Sequence, residues 1–198
     1  MTRLYYLGHA SWRITANDGR VIYVDPYGGK PFSYSVPADL ILITHEHYDH
    51  NQLQLVPMKN GAKVLRSVRA LTTGTYNSYD LGGIKVQALP AYNSHHLREE
   101  CVGYLIEVDR IRIYHAGDTD FIPEMRNLSP LGIDYALLPC DGFYTMNTED
   151  FDKAIEAINP KHAIPMHTHV GMDFDEEVVK RIHTPKKLVV RPGEEIVL

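Results

Sequence analysis

Leu40-Ile41-Leu42-Ile43 runs without a break into Thr44-His45-Glu46-His47-Tyr48-Asp49-His50. An uninterrupted apolar run of strand length has no solvent side, so it specifies a strand covered on both faces. Five of the next seven residues carry imidazole or carboxylate groups, and these cannot continue into an apolar core. The junction therefore fixes two things together. There is a sheet buried between layers, and a polar cluster leaves it at one edge, where loops on a rigid sheet place sites.

The rest of the chain reads around that strand. Leu4–Leu7 and Trp12–Thr15 are short strands, and Asn17-Asp18-Gly19 turns the chain into a strand over Arg20–Val24. Asn51 is positioned to cap a short helix before Pro57. Ala62–Arg66 and Ile84–Leu89 read as strands, and Asp109-Arg110 joins Val102–Val108 to Ile111–Tyr114 as a hairpin. Tyr135–Leu138 is a buried strand. Thr148–Ile158 is a helix whose apolar residues Phe151, Ala154, Ile155 and Ile158 share one face. Ala163–Met166 is a strand, Asp175–Ile182 a helix, and Leu188–Val190 and Glu195–Leu198 are closing strands. Hairpins demand antiparallel pairing, and the later helix–strand alternation demands parallel pairing. The expected fold is an α/β (α+β) four-layer αββα sandwich. Two mixed β-sheets pack face to face with outer helices, as one domain over residues 1–198.

Composition narrows the function. A net charge of −5 gives no global pull toward nucleic acid, and Lys59, Lys63, Arg66 and Arg69 read as a solvated face. Two distant cysteines, Cys101 and Cys140, give no disulfide scaffold. No apolar run reaches the roughly 20 residues of a membrane span, and the N-terminus lacks the apolar core of an export signal. A cytoplasmic protein is expected, alone or as a homo-oligomer.

Eleven histidines are many for 198 residues, and they cluster at 45/47/50, 95/96, 115 and 162/167/169. In an extended segment, residues two apart point the same way, so His45 and His47 can grip one ion. Asp49 and His50 follow where the chain turns, and suit a second. Nitrogen and oxygen ligands without thiolate suit zinc, manganese or iron.

His-x-His-x-Asp-His after Asp-Leu-Ile-Leu-Ile-Thr resembles the metallo-β-lactamase superfamily. The rest of the chain is similar to its bacterial and archaeal metal-dependent hydrolases, relatives of the ascorbate-lactone hydrolases and N-acylphosphatidylethanolamine phospholipases. Leu7-Gly8-His9-Ala10-Ser11, Val24-Asp25-Pro26, Tyr114-His115-Ala116-Gly117-Asp118-Thr119-Asp120, Tyr144-Thr145-Met146 and Pro165-Met166-His167 carry the likeness across nearly the whole chain. The resemblance implies two divalent metal ions. His45 and His47 bind the first, Asp49, His50 and His167 the second, and Asp118 bridges them. Asp25 orients a ligand histidine. Asp49 and Asp118 carry the catalytic work, with a bridging hydroxide as nucleophile.

The first metal in this family takes a third histidine, after a strand like Ile84–Leu89. Here Asn93 stands where relatives with Pro-Ala-x-His have it. His96 is the preferred replacement, with His95 and Asn93 the alternatives, and His115 and His169 open to recruitment. His9 fits a pocket role and a packing role equally. The implied activity is metal-dependent hydrolysis of a small-molecule ester, lactone or phosphodiester. A nuclease, or a non-catalytic metal-binding or sensor protein, is the alternative on the same fold.

Overall fold

The computed structural model describes residues 1–198. Strands Arg3–Gly8 (β1), Ser11–Thr15 (β2) and Val21–Val24 (β3) form an antiparallel meander. Ala38–Ile43 (β4) then pairs with β3 in parallel, and Met58–Arg66 (β5) pairs with β4 in parallel. A four-residue helix, Ser67–Ala70 (α1), and a small hairpin of Leu71–Thr72 (β6) with Thr75–Tyr76 (β7) lead to the second sheet. There Ser78–Asp80 (β8), Lys85–Pro90 (β9), Val102–Val108 (β10) and Ile111–His115 (β11) are antiparallel. Tyr135–Pro139 (β12) and His162–Met166 (β13) extend that sheet in parallel, with helix Thr148–Ile158 (α2) between them. Helix Glu176–Lys180 (α3) and strand Glu195–Val197 (β14), which pairs with β1, complete the chain.

The two six-stranded sheets thus share one plan: three antiparallel pairings followed by two parallel ones. Parallel strands bring their C-terminal ends to one edge. Asp25 follows β3, His45 follows β4, Asp118 follows β11 and His167 follows β13, so topology alone gathers them.

Side-chain alternation builds the layers. Ile22, Val24, Leu40 and Leu42 face Val86, Ala88, Tyr104, Ile106 and Ile164 across the inter-sheet core. Val21, Tyr23, Ile41 and Ile43 take the opposite face of the first sheet, so β4 is buried on both sides as its composition requires. On the outer face of the second sheet, Tyr114, Ala136, Leu138 and Ala163 pack under Phe151, Ala154, Ile155 and Ile158 of α2 and Val178 of α3. Helix α2 starts where Asn147 accepts the Asp150 amide proton and ends at Asn159, which takes a left-handed φ of 54°.

Three local expectations are corrected. Asn51 caps no helix. Its amide donates to the Glu46 carbonyl, and Leu53–Leu55 makes only a 3₁₀ turn without a side-chain cap. That turn and another at Pro31–Tyr34 cover the outer face of the first sheet. Leu188–Val190 is not a strand. Only Lys187 bridges to Ala163, and the chain leaves with Val190 packed into the inter-sheet core. No helix is long and apolar enough to cross a membrane.

The β1–β2 turn that carries His9 leans on a glycine. A Cβ at Gly28 would lie 2.3 Å from the Gly8 carbonyl oxygen and 3.0 Å from the His9 Cβ. Gly28→Ala is expected to lower unfolding free energy by about 1–3 kcal/mol through overpacking. Denaturant titration checks this, and an unchanged midpoint would show that the turn yields freely.

Candidate metal centre

The site begins with one buried carboxylate. Asp25, fully buried after β3, accepts the Thr44 amide at 2.8 Å and the Thr44 hydroxyl at 2.6 Å. The same carboxylate lies 2.9 Å from His50 Nδ1. Because Thr44 gives its proton to Asp25, its oxygen is free to accept from His45 Nδ1, 3.0 Å away. Across the edge, Asn93 Oδ1 holds His96 Nδ1 at 3.0 Å. Asp141 Oδ2 stands at an ion-pair distance of 2.9 Å from His167 Nδ1. Four imidazoles are therefore held by Nδ1, leaving Nε2 to face inward, the arrangement that orients metal ligands.

The inward atoms form two neighbouring groups, each with its donor atoms within 4.8 Å of one another. One is His45, His47 and His96, and the other is His9, Asp49, His50 and His167. Asp118 lies against both. Its Oδ2 is 3.3 Å from His50 Nε2, 3.4 Å from His96 Nε2 and 3.3 Å from His167 Nε2. His45 Nε2, His50 Nε2, His167 Nε2 and Asp118 Oδ1 are buried without a hydrogen-bond partner. Each such atom costs about 1–3 kcal/mol, and their convergence on one space suits a cation that would take them all. Backbone strain gathers here too. His9, Asp25 and His167 have φ of 55°, 46° and 44°, in the left-handed region that side chains avoid.

Four of the rings are shifted in opposite directions, two by two. Burial, then the neighbouring His50, holds His45 well below the ordinary imidazole range. Burial likewise takes His96 down to about 4, against the pull of Asp118. His50 and His167 are buried as deeply, yet their carboxylate partners prevail. His50 is raised well above its usual value by Asp118 and Asp25. His167 is raised to about 9 by Asp118 and Asp141. Asp118, despite its burial, is held well below the carboxylate range by His167 and His50. Protons on these imidazoles thus supply positive charge that buried carboxylates require.

The residues singled out by sequence have distinct fates. His96 joins His45 and His47. Asn93 instead holds His96 and donates to the Tyr144 carbonyl at 2.7 Å. His95 packs against Phe143 and Tyr144 at the rim. His115 bonds the Ala10 carbonyl and accepts the Gly117 amide, and His169 bonds the Val170 carbonyl, so neither is recruited. His162 stacks on Tyr135 at the far end of β13. Tyr144 lines the cavity over Asp49, Asp118 and His167. Asp141 escaped sequence reading. Its signal was its place within three residues of the end of a buried strand, as for Asp25 and Asp118.

The sequence pattern described as the Beta-lactamase superfamily domain matches residues 3–167. This chain belongs to the metallo-β-lactamase superfamily. It is 33% identical to a UPF0173 metal-dependent hydrolase of Thermococcus onnurineus, with 98% of each chain covered. Its fold is similar to a metallo hydrolase of Ignicoccus hospitalis, with a TM-score of 0.81, 27% identity and coverage of 98% and 97%. A metal-dependent hydrolase structure from Parabacteroides distasonis gives a TM-score of 0.78 at 29% identity, covering 98% and 94%. The chain is a metal-dependent hydrolase with a His/Asp cluster able to bind metal.

Within this family member, Asp25 is the most connected residue of the site. Asp25→Ala is expected to weaken metal binding about 10- to 100-fold. It is also expected to lower stability by about 3 kcal/mol, because Thr44 and His50 lose a shared buried partner. Metal titration and thermal unfolding of the variant read both effects, and wild-type values in both would remove Asp25 from the account.

Proposed function

We propose that the chain binds two divalent cations, zinc or alternatively manganese or iron, and hydrolyses a small-molecule ester, lactone or phosphodiester. His45, His47 and His96 hold the first ion, and Asp49, His50 and His167 hold the second. Asp118 stands between them. The observation that carries this reading is the place of Asp118 Oδ2, 3.3–3.4 Å from Nε2 atoms belonging to both groups. When bound, such ions bring the pKa of water down to about 7 and polarise an acyl or phosphoryl oxygen.

The chain's own residues do the rest. Asp25, Thr44, Asn93 and Asp141 fix the tautomers and directions of the ligating rings. Asp118, besides standing between the two groups, would orient the proton of the attacking water. Asp49, whose side chain is 37% exposed, borders the open side where substrate enters. Thiol nucleophiles do not compete. Burial pushes Cys101 up to about 12 and raises Cys140 further, and both are free and enclosed. Unpaired thiols also fit the expected cytoplasmic setting.

The surroundings favour a small molecule. The cavity over the centre, about 360 Å³, is lined by His47, Asp49, His95, His96, Asp118, Tyr144 and His167. The adjoining cavity, about 390 Å³, shares His47, His95 and His96 and adds Glu46, Glu99 and Glu100, with no lysine or arginine in either lining. A nucleic-acid backbone needs cations beside the scissile phosphate, so the nuclease reading is the weaker one.

The test combines elemental analysis with turnover. Wild-type protein should hold two metals per chain and cleave at least one member of a panel of lactones, aryl esters and bis-p-nitrophenyl phosphate. Asp118→Ala should lose at least one metal and all of that turnover. One tightly held metal with no turnover by the wild type would favour the binding or sensor reading. Salt-sensitive RNA cleavage would favour the nuclease.

A further inference from the structure

His9 stands inside the second ligand group without an assigned task. Its ring is buried, 3.8 Å from the His167 ring and 5.6 Å from the His50 ring, centroid to centroid. Its Nε2 lies 3.1 Å from Asp49 Oδ2. Distance alone makes it a fourth ligand. The hydrogen-bond pattern separates it from the others.

His45, His50 and His96 have Nδ1 hydrogen-bond partners in Thr44, Asp25 and Asn93, and His167 Nδ1 has the Asp141 carboxylate 2.9 Å away, an ion-pair contact without hydrogen-bond alignment. Their inward nitrogen can ligate while the outer N–H is matched. His9 Nδ1 is buried and has no partner. Ligation through Nε2 would move the ring proton to Nδ1 and leave a buried donor facing nothing. Donation from Nε2 to Asp49 uses that proton instead. Asp49 depends on the bond, since His9 provides the one hydrogen bond its carboxylate makes.

The His9 backbone reaches the same half of the site. Its carbonyl accepts the His167 amide at 2.8 Å, and its own amide donates to the Asp173 carbonyl at 2.7 Å. Tyr6 Oη donates to the His9 carbonyl at 2.7 Å. These three bonds hold the residue at its φ of 55°.

We propose that His9 is a positioning residue, not a ligand: Nε2–H aims Asp49, and the carbonyl anchors His167, so that together they shape the second metal site. The inference rests on the two-metal reading. Wild type, His9→Ala and His9→Gln are dialysed against graded Zn²⁺ or Co²⁺, and bound metal is counted. Both variants meet the same backbone strain at position 9, but only Gln restores an N–H donor near the imidazole Nε2. His9→Ala should keep the first equivalent and bind the second about 10- to 100-fold more weakly. His9→Gln should recover most of that loss, and its Co²⁺-loaded visible spectrum should match the wild type, because no imidazole leaves the metal. A second equivalent unchanged in His9→Ala, a Gln variant as weak as Ala, or an altered Co²⁺ spectrum in the Gln variant would overturn the assignment. Wild type binding only one equivalent would instead overturn the two-metal reading itself.

Discussion

The site depends on a buried carboxylate between two parallel strands. Asp25, fully buried, accepts from the Thr44 amide and hydroxyl and faces His50 Nδ1. It joins the C-terminal ends of β3 and β4, sets the hydroxyl of Thr44, and through that hydroxyl sets His45. A charge so enclosed is stable only when every lone pair is answered, and the answering groups become rigid in turn. The fixed direction of the His45 and His50 rings is thus a consequence of satisfying Asp25.

Sheet topology supplies the other half. Both sheets end in three parallel strands, so residues following β3, β4, β11, β12 and β13 meet at one edge. Asp118, from the second sheet, crosses to ring nitrogens of His50 and His96, which come from different elements. Protons on His50 and His167 compensate the neighbouring carboxylates, Asp118 foremost. His45 and His96 are pressed toward the neutral form that a ligand needs. His45 and His96 on one side, and His50 and His167 on the other, are therefore shifted in opposite directions.

Much of this was legible in the chain. Strand β4 had to be covered on both faces because Leu40–Ile43 has no polar side, and its outer and inner neighbours are as apolar as that demanded. The apolar stripe of α2 gave the helix over the second sheet. The outer cover of the first sheet was harder, since 3₁₀ turns leave no periodic pattern. Leu188–Val190 has the composition of a strand, but pairing is a tertiary matter, and only Lys187 finds a partner. At the site, clustering singled out His45, His47, Asp49 and His50, whereas the third position of the first group lay open between Asn93, His95 and His96. Asn93 resolved that contest by accepting from His96 rather than replacing it. The meeting of Asp141 with His167, and of His9 with Asp49, depends on loops from distant segments, which no local spacing encodes.

The central claim is that Asp118 sits between two metal ions. The most direct measurement is anomalous diffraction from crystals of the Zn²⁺-loaded protein, recorded on both sides of the zinc edge. The account predicts two peaks about 3.5–4 Å apart, one against His45, His47 and His96 and the other against Asp49, His50 and His167, with Asp118 touching both. A single peak, or two peaks with Asp118 turned away from either, would contradict it.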